Sequence, residues 1–382
     1  MNSVRIALIG AGVMGGSHSR RIKNIKELCI TAVCDTDKEK ADKLASENSC
    51  SAFTDHQVLL NSDVCDAVLI ATPHYSHTVI GIDALKAGKH VLMEKPISVQ
   101  KSDCERLIHA HTDKSLVFAA MFNQRTNPAY RKMKQLVDSG ELGSLMRINW
   151  IITDWFRTQR YYDNGNWRAT WGGEGGGVLL NQCPHQLDLL QWICGMPESV
   201  TAYCGIGKYH DIEVEDEVTA FLRYANGATG VFITSTGEAP GTNRFELTGT
   251  KGKIVIENNK INFIRNEVSC EKFLKESEKA FAMPDIWNVQ IPVSGSGGQH
   301  EEILKNFADA ILHGTEILAP AAEGIYSVEL ANAMLLSAIK NKEVTLPIDA
   351  AEYERFLKNM IKNSKYKKRT NPADVSGIDQ SF

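Results

Sequence analysis

No stretch of the chain approaches the roughly 18 to 20 consecutive apolar residues that a membrane-crossing helix needs, and the mean hydropathy is -0.22. A membrane-embedded chain is therefore not expected. Charge of one sign is lacking too. The 42 Lys and Arg residues stand against 46 Asp and Glu, a formal net charge of -4, so the clustered positive field that nucleic-acid backbones demand is missing. The only basic cluster, Lys365, Lys367, Lys368 and Arg369, reads as a solvated tail. Cysteine pairs are absent in the sense that matters. The nine cysteines are odd in number, scattered from Cys29 to Cys270, and include no Cys-x-x-Cys. This argues against a disulfide framework or structural zinc and for reduced thiols in a cytoplasm; no metal is expected. The first residues, Met1-Asn2-Ser3, lead into a strand-like run with no basic or long apolar leader, so secretion is not expected. What is left is an ordinary globular composition, 382 residues and 43% hydrophobic, enough for two domains at about 150 residues each.

The first third alternates β-branched runs at 4–9, 29–35, 67–71, 90–93 and 117–121 with helical stretches. Such βαβ grammar predicts a parallel sheet with helices on both faces. Asp37 and Asp55 are helix caps, and Gly88 closes a helix expected over 77–87. After Met121 the pattern changes. A helix is expected over 128–139, followed by alternating strands at 146–154, 199–207, 217–224, 228–236, 244–248, 253–257 and 260–263. The turns Asn226-Gly227, Lys251-Gly252 and Asn258-Asn259 carry hairpin chemistry. This second sheet should be mainly antiparallel with one open face, the other covered by a helix over 184–194. After a Gly/Ser hinge at 295–298, helices over 300–312, 322–340 and 350–362 complete the fold. The domains expected are 1–124, 125–364 and a tail, mobile or draped, over 365–382.

Gly10-Ala11-Gly12-Val13-Met14-Gly15 follows a strand and precedes a helix, which turns a weak hexapeptide into a dinucleotide fingerprint rather than a bare glycine turn. Asp35 ends the second strand twenty positions after Gly15, where a carboxylate accepts hydrogen bonds from both adenosine-ribose hydroxyls. The same carboxylate would repel a 2'-phosphate, so NAD is expected rather than NADP, with Lys38 near enough in sequence to offset part of that repulsion. Ala71-Thr72-Pro73 and Glu94-Lys95-Pro96 lie at the carboxyl ends of later parallel strands, where such a sheet opens its crevice. Lys95 suits stabilisation of a developing alkoxide, or it is a surface lysine pairing with Glu94; the residues alone weigh these equally. Pro184 marks a helix start, which places His185 in an exposed first turn, aimed outward. As an imidazole it can take a proton from an alcohol, although a helix-start histidine by itself needs no function.

GAGVMG with His18 shortly after, ATPHYSH, MEKP and GGGVLLNQCPHQLDLLQWICG stand in one order and spacing. Together they make the chain from Val4 to about Lys362 resemble the Gfo/Idh/MocA oxidoreductases, the glucose–fructose oxidoreductase and inositol dehydrogenase group. The resemblance implies an α/β fold: an N-terminal Rossmann domain, then a glucose-6-phosphate-dehydrogenase-like α+β domain with a large, mainly antiparallel, open-faced sheet. It implies Lys95 and His185 as catalytic residues, with Asn181 beside them. Cofactor contacts are expected from Gly10, Gly12, Val13, Met14, Gly15, Asp35, Thr36, Ala71, Thr72, Pro73, His77, Glu94, Lys95 and Asn123. One departure matters. Many members carry Asp where this chain has Asn181, and an amide orients a hydroxyl but neither exchanges a proton nor supplies charge. Lys95 and His185 must then suffice, with Asp188 structural.

The segment 154–171 holds three of the six tryptophans and three arginines. Aromatic faces and Arg suit a pyranose ring; they equally suit an oligomer interface. Arg157, Tyr161, Trp167 and Arg168 are the substrate contacts expected, together with Lys95, Asn181 and His185. The leading expectation is NAD-dependent oxidation of a ring secondary hydroxyl of a sugar, glycoside or inositol, or reduction of the keto sugar. The alternatives are redox-assisted glycoside cleavage and a non-catalytic dinucleotide-sensing regulator. The open face predicts a homodimer or homotetramer.

Overall fold

Residues 3–370 are described by the computed structural model; residues 371–382, most of the expected tail, lie outside the described residues. Strands β1 (Val4–Ile9), β2 (Leu28–Cys34), β3 (Ser51–Phe53), β4 (Ala67–Ile70), β5 (His90–Met93) and β6 (Phe118–Ala120) form a parallel sheet in the order β3-β2-β1-β4-β5-β6. Every residue of β4 is buried, as helices on both faces require. The chain reverses direction of travel across the sheet between β1 and β4, and that switch point opens a crevice at the carboxyl ends of the strands. Asp37 caps Lys38–Glu47 by accepting from the amides of Glu39 and Lys40, and Asp55 caps His56–Leu60 through Gln57. The helix that ends before Gly88 starts at His74, three residues earlier than expected, because Pro73 fits the position ahead of a first turn.

Strands β7 (Leu145–Ile152), β8 (Ser199–Ile206), β9 (Glu215–Arg223), β10 (Thr229–Ser235), β11 (Asn243–Gly249), β12 (Gly252–Glu257), β13 (Lys260–Asn266), β14 (Ile286–Gln290) and β15 (Val344–Thr345) form a second sheet, ordered β14-β13-β12-β11-β7-β10-β9-β8-β15. It is mainly antiparallel, but β7 lies between β10 and β11 and runs parallel to β10. Alternation sets its two faces. Val218, Ala220 and Leu222 of β9 point inward while Phe221 stands exposed on the other side, in a row with Val231. On the inner face Trp150 of β7 stacks on Phe245 of β11 at 4.1 Å.

The expected cover, Pro184–Cys194, does not act alone. Pro128–Asp138 packs on β12 and β13, and Gly324–Lys340 packs on β8, with Pro184–Cys194 between them. The reason is width: nine strands at about 4.8 Å span roughly 40 Å, and one helix covers about 10 Å. A single cut at 124/125 does not describe the packing either. Gln299–His313 returns to the first sheet, burying Ile303, Leu304 and Phe307 in its core beside Val13–Ile22. Residues 364–370 are draped rather than free: the Tyr366 hydroxyl donates to the Asp211 carbonyl at 2.6 Å, and the Lys368 ammonium to the carbonyl of Tyr162. All nine cysteines are free. Among the described residues no helix is long and apolar enough to cross a membrane.

Candidate active site

Two walls meet at the carboxyl edge of the parallel sheet. The first is built from the turn after β1. Gly10 has φ +103°, and a Cβ there would lie 2.5 Å from the carbonyl oxygen of Ala71; at Gly15 a Cβ would lie 1.9 Å from the oxygen of Gly10. Only glycine permits this turn and this approach of helix to strand. Above Gly12 there is open space, with nothing within 4 Å of a Cβ position. Gly12 also caps Val13–Ile22 with no side chain, so the amides opening that helix, at exposed Val13 and half-buried Met14, are left for a ligand. Asp35 closes the wall: Oδ2 accepts from the Ala11 amide at 2.7 Å and Oδ1 from Asp37 at 2.9 Å. A carboxylate has about four lone-pair sites, so capacity remains for ribose hydroxyls. Thr36 beside it is exposed. Lys38, expected to offset the charge of Asp35, pairs instead with Asp42 on its own helix.

Farther along, Thr72 Oγ1 and Asn123 Oδ1 are buried with no hydrogen-bond partner. Together with the open space over Gly12, these unsatisfied atoms fit a dinucleotide. His77 does not. Its Nε2 lies 2.8 Å from the Thr72 carbonyl and its Nδ1 2.7 Å from that of Pro96, so it braces the loops after β4 and β5, and no ring nitrogen is left for a cofactor. Ala71 and Pro73 shape the same loop through their main chain.

Glu94 and Lys95 link the two walls. Burial would raise the Glu94 carboxyl, but a 2.6 Å contact with His18 Nε2 and the charges around it hold the group well below its usual range. Its other oxygen accepts from the Lys95 amide at 3.1 Å. The Lys95 side chain crosses the cleft, and its Nζ donates to the backbone carbonyl of Asn181 at 2.8 Å. It is not the surface lysine pairing with Glu94. Burial pulls the Lys95 ammonium down, Glu94 opposing.

The second wall is the turn before Pro184–Cys194. His185 is not exposed: it is 3% accessible and meets the Phe122 ring edge-on. The helix start faces the 3-10 turn Asn123–Thr126 instead of solvent, which the residue pattern alone does not reveal. Burial, and then Lys95, push the imidazole well below its ordinary pKa, so it is neutral at physiological pH, the form that accepts a proton. Asp188 is structural, held by Arg125 at 2.6 and 2.8 Å. Asn181, expected to orient a hydroxyl, has both ends of its amide committed, to Tyr161 and to Glu174.

Of the aromatic segment only part reaches the cleft. Trp171 is buried in the core and Trp155 packs against it, while Trp167 lies 5.1 Å from the ring of His74. The Arg168 guanidinium covers Trp167 and Tyr161 at 4.6 and 4.7 Å, and Arg157 covers Tyr161 at 5.3 Å. Two buried carboxylates that bond this turn, Glu174 and Glu215, went unread in the sequence. Glu174 interrupts the glycine run, which was the available signal. Glu215, at the start of β9, accepts from the amides of Gly177 and Leu179 and fixes the turn that carries Asn181. Among the described residues no group of three or more His, Cys, Asp or Glu side chains could hold a metal.

Two family models match this chain. One, described as oxidoreductase family, NAD-binding Rossmann fold, matches residues 4–122; the other, the GFO/IDH/MocA C-terminal domain, matches residues 130–255. A levoglucosan dehydrogenase of Pseudarthrobacter phenanthrenivorans is 25% identical over 91% of this chain and 99% of its own. A myo-inositol 2-dehydrogenase of Thermotoga maritima is 29% identical over 67% of this chain and 75% of its own. The crystal structure of the WlbA dehydrogenase from Bordetella pertussis, in complex with NADH and UDP-GlcNAcA, superposes with a TM-score of 0.77 at 25% identity, covering 91% of this chain and all of that one.

Proposed function

The chain belongs to the Gfo/Idh/MocA oxidoreductases, with an NAD-binding Rossmann fold, and from that premise we propose that it oxidises a ring secondary hydroxyl of a sugar, glycoside or inositol to a ketone, or reduces the keto form. One observation carries this reading: Lys95 reaches across from β5 to the Asn181 carbonyl, four residues before a buried, neutral His185. An acid–base group and a cation thus converge where the dinucleotide turn opens.

Gly10, Gly12 and Gly15 with the amides of Val13 and Met14 would hold the pyrophosphate, Asp35 the ribose, and Thr72 and Asn123 the inner end. When bound, NAD supplies the hydride acceptor. The chain's own residues manage the proton and the charge. His185 accepts the proton of the ring hydroxyl at an imidazole nitrogen, and Lys95 donates a hydrogen bond to the same oxygen as negative charge grows on it. In the reducing direction His185 returns the proton, while Lys95 donates the same hydrogen bond to the carbonyl oxygen as negative charge grows on it. Trp167, Tyr161, Arg168 and Arg157 line the approach, an aromatic face and guanidinium groups suited to a hydroxylated ring. Asp35 disfavours a 2'-phosphate, so NAD is the cofactor rather than NADP. The relatives support a carbohydrate alcohol, since two of them are named as dehydrogenases of levoglucosan and of myo-inositol.

The test is a screen for NADH formation against monosaccharides, inositols and glycosides, with NMR of the product to locate the new carbonyl. Stoichiometric NADH with a ketone is the expected result. Cleavage with NADH recycled within each turnover would replace this reading by redox-assisted elimination, and tight NAD binding without hydride transfer would replace it by a sensor. The open face bearing Tyr203 and Phe221 favours a homodimer or homotetramer through that surface; a monomer by light scattering at micromolar concentration would refute it. The free cysteines suit a reducing cytoplasm.

A further inference from the structure

Glu174 takes no part in the proton chemistry, yet it is 1% exposed and sits at a junction of both walls. Its Oε2 accepts from the Ala169 amide at 2.6 Å and its Oε1 from Nδ2 of Asn181. The other end of that amide accepts from the Tyr161 hydroxyl at 2.9 Å. The Tyr161 oxygen in turn accepts from Arg168 at 2.9 Å and from Gln182 at 3.0 Å. Asn181 also gives its backbone carbonyl to Lys95. One carboxylate therefore fixes, through one amide, the aromatic segment and the turn that meets Lys95.

We propose that Glu174 and Asn181 act as a single carboxylate–amide unit, a positioning pair that sets a carboxylate charge and the Asn181 carbonyl toward Lys95 and locks Tyr161 and Arg168 against the site. This rests on the reading of Lys95 as the group that stabilises the reacting oxygen.

Charge around the pair supports it. Glu174 faces Arg168, Lys95 and Lys368 as cations, Glu215 as the other carboxyl and the Tyr162 phenol. Burial raises its carboxyl above the ordinary value, Arg168 and the two N–H donors opposing; those donors recognise the carboxylate form. Lys95 is met by Glu94, Arg168, Glu174, the Cys183 thiol and the imidazoles of His74, His77, His185 and His300. Burial keeps the imidazoles and the thiol neutral. Among these groups Glu94 and Glu174 then offer negative charge, Glu94 the more strongly although His18 engages it, and Glu174 adds to it.

Hydrogen-bond polarity supplies the test. Glu174→Gln removes the charge and leaves one amide oxygen facing two donors. Asn181→Asp sets two carboxylates against each other. The double variant Glu174→Gln/Asn181→Asp restores all three hydrogen bonds: the new amide accepts from Ala169 and donates to the new carboxylate, which still accepts from Tyr161. Lys95 is titrated in the full chain by NMR of ¹³C-methyl groups added by reductive methylation, its signal assigned by Lys95→Arg. NADH binding reports an intact fold. The Lys95 midpoint should fall by about one pH unit in Glu174→Gln and return in the double variant. In parallel, kcat on an alcohol identified by the screen should fall at least about tenfold in each single variant and largely recover in the exchange. An unchanged midpoint in Glu174→Gln, or a double variant no better than the singles, overturns the proposal. If a single variant loses NADH binding, the double variant decides alone by matching the wild-type midpoint or not. If no alcohol is oxidised by the unaltered chain, the proposed function fails while the titration still decides the role of Glu174.

Discussion

The two walls of the cleft are made of different material. The wall around Gly10 to Gly15 is main chain: a positive φ, two close backbone approaches and the free amides of a helix start. Among its contacts only Asp35 brings a charge. The opposite wall is side chain: His185, Asn181, Tyr161 and Arg168, reached by Lys95 from across the cleft and held by the buried carboxylates Glu174 and Glu215. Main-chain geometry does not titrate, whereas buried carboxylates and imidazoles do. The first wall should therefore bind its ligand indifferently to pH, and the second should carry the pH dependence of both activity and stability.

The largest effect that separates the walls is at His185. His185→Ala should lower kcat by about 10² to 10⁴ while NADH binding, measured by fluorescence, stays within a few fold. Equal losses in both would mean that the walls are one unit and that the imidazole serves the nucleotide. A turnover near wild type would remove the acid–base role.

Next in size is a linkage effect at Glu215. Burial raises its carboxyl to about 7, against an ordinary unfolded value near 4.3. Between those values the folded state holds a proton that the unfolded chain has released, so stability falls as pH rises from about 4.5 to about 7, and is level above. The group's share is about 3 kcal/mol. Unfolding by urea at pH 5 and pH 8 should therefore show the unaltered chain losing about that much more than Glu215→Gln. Parallel curves would show that the Gly177 and Leu179 amides keep the carboxylate fully solvated, and the second wall would lose one of its two titrating supports.

The same contrast explains what could be read from the residues. A main-chain wall leaves a local trace, because the turn itself demands glycine at fixed offsets, and Asp35 follows at the end of the next strand. Lys95 was legible as a candidate from its place after β5, balanced there against a surface lysine paired with Glu94. Glu174 was not, because its partners, the Ala169 amide and the Asn181 side chain, meet it through an irregular loop that no sequence period describes. His185 was found but misplaced: a helix start is usually wet, but this one faces Phe122 and the turn Asn123–Thr126, brought over from the first sheet. The insertion of β7 between β10 and β11 is nonlocal in the same way, since successive hairpins give no sign that an earlier strand enters between them. The return of Gln299–His313 to the first core has that origin too.

The smallest effect tests the first wall by its one charge. Asp35 already accepts two amides, from Ala11 and Asp37, so Asp35→Asn keeps an acceptor for only one of them and removes the negative charge. Lys38, turned toward Asp42, does not screen that charge in the unaltered chain. A half-exposed carboxylate near a 2'-phosphate acts in a well-solvated setting, where one charge pair is worth about 1 kcal/mol. The ratio of NADPH to NADH affinity should therefore rise roughly five- to tenfold, largely through tighter NADPH, with no change in the pH profile of turnover. A ratio that does not move would place cofactor selection outside Asp35. A pH profile that moves with it would show that the charge of the first wall reaches His185 and Lys95, and the two walls would no longer be electrostatically separate.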